Sequence, residues 1–237
     1  MTAAGAPTIQ GLNSPDHGFG TLGQFAHAVT AVYLDEAPKA PAFHIGYNTL
    51  PDPPYPMPSR ICHQQDTQEA WLGCGQDLSV FLESGARSLR AQPVPDGDSL
   101  DEQARIMQYL LRIDAMALAW KAHMVQPTRS VASWTLAADL LAGKAAPADI
   151  GPEGSEEALV TWAIDRAGMA LLAWAPVNGA EDDIAVAAGA VAAPGDIAGL
   201  LGEVLHAQYA WTVATFGTEP PAAISSLTAI LRNPGQN

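Results

Sequence analysis

Residues 98–125 constrain the fold most strongly, because a helix-start signal there precedes a long apolar run whose apolar face carries two charges. Ser99 and Glu102 form a capping box, and Pro127 closes the run. At about 100° per residue, Ile106, Leu110, Ile113, Ala117, Trp120 and Met124 fall along one apolar arc. The spacing predicts a helix over 98–125, with Asp114 and Lys121 pointing into its apolar side. A buried charge is costly unless it is paired or used, so these two residues are the first place to look for chemistry. Lys121 sits near the helix end and can snorkel to water. Asp114 has no such route, so it must pair, protonate or line a polar cavity.

The rest of the chain reads as helix around this element. Leu22, Phe25, Val29, Val32 and Tyr33 share one face of a segment running from about Thr21 to Glu36. Asp66 and Glu69 resemble a capping box ahead of a stripe that includes Trp71, Cys74, Leu78, Phe81, Leu82 and Leu89. Shorter helices are expected over 129–143 and 221–231, a weak one over 182–193 and a firm one over 196–216. Ser155 caps a segment whose apolar residues go almost all the way round, from Leu159 to Trp174, as in a central helix packed on most sides. The fold class expected is therefore all-α, a single bundle of about six to eight helices. It occupies residues 19–232, between an irregular tail at 1–18 and a short tail at 233–237. Seven prolines between Pro38 and Pro58 disfavour both helix and central strand, so residues 37–65 read as an irregular Pro-rich strap or lid after the first helix.

Charge and composition narrow the partners. The formal net charge is −14, with eleven Lys and Arg in 237 residues and no basic cluster. That balance argues against nucleic acid and against an anionic membrane surface. No basic residue precedes Lys39, so a secretory signal is not expected, and no apolar run reaches the roughly 18 residues of a membrane span. With two cysteines and no export signal, the expected compartment is the cytoplasm.

Several motifs bear on function. Glu203 and His206 have the Glu-x-x-His spacing of di-iron carboxylate bundles, yet they project away from the apolar side of their own helix. Gly18-Phe-Gly-Thr-Leu-Gly23 spells a dinucleotide fingerprint without the strand that must precede it. Arg166 falls on the almost wholly apolar segment after Ser155. It is the natural partner for Asp114 in a bridge between two central helices.

The reading preferred is a small-molecule enzyme of isomerase, cyclase or dehydratase type, without an organic cofactor. Asp114 acts there as acid or base, with Arg166 and Tyr33 as orienting groups. Lys121 and the strap residues His44, Tyr47 and His63 contact substrate. One alternative is a non-haem di-iron oxidase in a ferritin-like or haem-oxygenase-like bundle, taking iron at Glu203 and His206. The other is a non-catalytic binding or assembly protein, whose Ala/Gly-rich face between about Ala180 and Gly202 packs on a second copy as a homodimer.

Overall fold

The structure is a computed structural model and describes residues 20–49, 62–65, 67–95, 104–105, 111–125, 155–191 and 195–217. Its centre is a six-stranded sheet, which overturns the all-helical expectation. In chain order the elements are α1 (Gly20–Val32), β1 (Ala42–Thr49), β2 (Cys62–Gln65), α2 (Gln68–Gly73), α3 (Leu78–Ala91), β3 (Leu111–Met124), β4 (Glu156–Asp165), β5 (Met169–Pro176), a 3-10 turn (Glu181–Asp183), β6 (Ala185–Val191) and α4 (Ile197–Phe216). The strand order is β2-β1-β3-β4-β5-β6, and every neighbouring pair is antiparallel. This is a mixed α/β fold with helices on both faces of an antiparallel sheet.

The core divides at the sheet. One face carries mostly small residues: Ala115, Ala117 and Ala119 of β3, Ala163 of β4, and Ala173 and Ala175 of β5. Helix α1 lies on it through Leu22, Phe25, Ala26 and Val29. Small side chains let α1 approach closely, most of all at Gly46 of β1. A Cβ there would sit 3.1 Å from the Phe25 ring and 3.2 Å from Ala115 Cβ. The opposite face carries larger residues, among them Phe43, Ile45, Met116, Leu118 and Ile164. Helices α3 and α4 cover it through Phe81 and Leu82 and through Leu201, Val204 and Leu205. Gly202 brings α4 down onto β4, where a Cβ would meet Ile164 Cδ1 at 3.0 Å.

This arrangement explains why the expected helix at 98–125 is a strand from Leu111 onward. A strand covered on both faces is apolar at every position, so hydrophobicity shows no period of two. A continuous apolar run then fits a helical template as readily as a strand. The same ambiguity hid β4 and β5, which replace the central helix expected after Ser155, and β6, which replaces the weak helix over 182–193. Alanine's helix propensity is overridden here by tertiary packing.

The Pro-rich strap is corrected too, since β1 and β2 pair as antiparallel strands within it. Helices α1 and α4 fall where periodicity places them, α4 starting on Asp196, whose side chain accepts from Gly199 N at 2.6 Å. The stripe after Asp66 is broken into α2 and α3. Gly75 and Gln76 take left-handed conformations between them (φ 66° and 62°), and Asp77 caps α3 by accepting from Val80 N at 3.0 Å. The helices expected over 129–143 and 221–231, and both tails, lie outside the described residues. Among the described residues, no helix is long and apolar enough to cross a membrane.

Candidate functional site

Two polar pairs cross the interface between α1 and the alanine face of the sheet. Thr30 Oγ1 lies 2.9 Å from both the Ala26 carbonyl and Thr161 Oγ1, so each hydroxyl is satisfied although both residues are fully buried. Tyr33 follows directly on α1, its N–H bonded to the Thr30 carbonyl at 3.1 Å. Its hydroxyl lies 2.8 Å from His44 Nε2, with the two rings edge to face at 5.5 Å between centroids. His44 occupies the α1-facing position of β1, opposite Gln64 on β2 and Ala117 on β3, and only 2% of it is exposed. Burial pushes the Tyr33 phenol up to about 12, so it stays protonated and able to donate.

Tyr33 also forms part of a cleft of about 620 Å³ between the end of α1, the 36–42 connection and the start of α2. Val32, Glu36, Lys39 and Gln68 are among the other lining residues. The Thr67 hydroxyl donates to the Pro41 carbonyl and fastens the start of α2 to this connection. Trp71 holds α2 from the other side, edge to face on Phe81. The cleft has the volume of a small-molecule site, and one member of the buried hydrogen-bonded pair, Tyr33, lines it.

The removal of that pair has a measurable signature. Tyr33→Phe is expected to cost about 1–3 kcal/mol, because a buried imidazole nitrogen loses its partner. In the wild type the phenol ionises near 10.0 in the unfolded chain and near 12 in the folded one. The folded state therefore keeps a proton that the unfolded state releases, and stability erodes as pH rises from about 10 to about 12. Urea unfolding at about pH 9 and about pH 11.5 should show this erosion in the wild type and a smaller one in Tyr33→Phe. A neutral-pH difference under about 0.5 kcal/mol would contradict the buried bond.

The remaining candidates are dispersed. Asp114 and Arg166 do meet, but across strands and not between helices. The β1–β3 register jumps from Gly46↔Ala115 to Tyr47↔Ile113, leaving Asp114 as the extra residue of a β-bulge. Arg166, just past β4, donates its backbone N–H to the Asp114 carbonyl at 3.0 Å and places Nε 3.7 Å from the carboxylate. Its guanidinium lies over the Tyr209 ring of α4, 4.5 Å from the centroid. This corner is on the α4 side of the sheet and Tyr33 is on the α1 side, so the three residues expected at one catalytic centre do not share a site.

Lys121 pairs with Glu157 at 2.9 Å, both half-exposed, and the hydrogen bond from the ammonium holds the Glu157 carboxyl below its ordinary value. Tyr47 and His63 take strand positions opposite Ile113 and Ile45. Glu203 is salt-bridged to Arg90 of α3 at 3.0 Å, and His206 is exposed beyond it. No group of three or more His, Cys, Asp or Glu that could hold a metal occurs among the described residues. The helical cage of a ferritin-like or haem-oxygenase-like bundle is not the architecture found.

Sequence reasoning missed the Thr30–Thr161 pair and Tyr209. Thr30 was open to detection, as a hydroxyl on the apolar side of α1 between Val29 and Tyr33. No protein-family model, curated protein or solved structure matches the chain.

Proposed function

We propose that the chain binds a small molecule in the cleft at the end of α1, with Tyr33, hydrogen-bonded to the buried His44, in its wall. The observation that supports this is the 2.8 Å hydrogen bond between two buried, titratable side chains, one of which lines a cleft of ligand size. A buried polar pair adds little net stability compared with an apolar one, so its presence beside a cavity favours a binding role. Tyr33 stays protonated at neutral pH, so hydrogen bonding is what its hydroxyl offers at the cleft wall. Asp114 and Arg166 are the rival site, favoured by the bulge that re-aims Asp114 and weakened by the ion pair that already occupies it.

The test is a thermal-shift screen of small metabolite-like compounds on the wild type and on Ala40→Trp, which fills the cleft from its lining. A compound at about a hundred times its dissociation constant stabilises by about 2.7 kcal/mol, or several degrees in Tm. Hits should appear with the wild type and vanish with Ala40→Trp. Hits that persist in the variant, or none in the wild type, would contradict the reading.

A further inference from the structure

We infer that the ligand of this cleft is a zwitterion of amino-acid type, its ammonium held by Glu36 and the end of α1 and its carboxylate by Lys39. The inference rests on the cleft reading above and adds the chemistry of the occupant. Glu36 and Lys39 both line the cleft, carry opposite charges and lie on the short connection that leaves α1. Neither has an ion-pair partner among the described residues, so both charges are available to a ligand.

A second observation points the same way. Helix α1 ends at Val32 with no basic residue in its last turn, and Val32 and Tyr33 line the cleft. The last turn of α1 has no basic residue of its own, and the negative pole of the helix adds to Glu36 in favouring an ammonium group at this end of the cleft. The net charge of −14 draws cationic groups toward the chain and repels ligands that are only anionic. Lys39 then makes an added carboxylate favourable. Val32, more than half exposed, offers an apolar surface for the ligand's side chain.

The experiment uses the full chain and isothermal titration. The twenty free amino acids serve as probes, and the best binder is compared with its decarboxylated amine and its N-acetyl derivative. The amino acid should bind about tenfold or more tightly than either derivative, the loss expected when one charged group has no counterpart. Glu36→Gln should erase the preference over the N-acetyl form, and Lys39→Met the preference over the amine. Equal affinities for all three compounds, or preferences unchanged in both variants, would overturn the inference. If neutral compounds give shifts that Ala40→Trp abolishes while no amino acid binds, the zwitterion falls and the cleft reading stands. If no compound of either kind depends on Ala40, both fall.

Discussion

Leu205→Ala is expected to lower the unfolding free energy by about 2–5 kcal/mol, the range for a leucine truncated in a core that cannot fully collapse. Leu205 is fully buried on the sheet-facing side of α4, in one cluster with Leu82 of α3, Leu118 of β3, and Leu201 and Val204 of its own helix. Two helices and a sheet enclose that position, so relaxation of any one of them is resisted by the other two. Urea unfolding followed by tryptophan fluorescence reads the effect directly. A loss below about 1 kcal/mol would mean that α4 is not seated on the sheet through this face.

On the other face the opposite change should be harmful. Ala117→Leu adds three carbons where α1 lies against a surface of alanines, and it is expected to cost about 3 kcal/mol, toward the upper end for overpacked cores. Ala117 has no exposed surface, and Ala115 and Ala119 flank it on the same face. The neighbouring Met116 points to the α3/α4 side, so Met116→Leu should cost less than about 1.5 kcal/mol as a volume-conserving exchange. In a helix the two residues would be only about 100° apart and would share one environment. Equal tolerance of Ala117→Leu and Met116→Leu would therefore argue against the two-faced strand.

The elements legible in the sequence are those with one wet side. Helix α1 and helix α4 show their faces through spacing, and Asp196 marks the start of α4 by its capping chemistry. Strands β3, β4 and β5 have no wet side along most of their length, so the polar–apolar contrast that reveals a strand is absent. What alternates is size, with Ala115, Ala117 and Ala119 interleaved with Met116, Leu118 and Trp120. Alanine's own preference for helix masks that signal in the sequence.

Two turns that the helical reading passed over separate these strands. Asn178-Gly179 stands between β5 and the 3-10 turn, with Asn178 left-handed (φ 62°) and Gly179 N bonded to the Pro176 carbonyl at 2.9 Å. Asp165 and Gly168 form the β4–β5 connection, where the aspartate side chain accepts from Ala167 N and Met169 N.

The candidate site was legible only in its parts. Tyr33 and His44 were both named from the sequence, but one as a partner of Asp114 and the other as part of a lid. Their contact depends on α1 lying across β1, and no spacing rule encodes that crossing. The meeting of Asp114 with Arg166 was anticipated from charge, since an interior aspartate needs a partner. Its geometry, a bulge in β3 facing the residue after β4, follows from strand register.

The measurement that tests the account most directly is methyl and amide NMR mapping of a bound ligand on the full chain. If the cleft at the end of α1 is the site, shifts should be confined to Val32, Tyr33, Ala40, Ala42 and their neighbours, with Ile164, Arg166 and Tyr209 unmoved. Shifts centred on Arg166 and Tyr209, with Val32 and Ala42 unmoved, would contradict the account and return the site to Asp114.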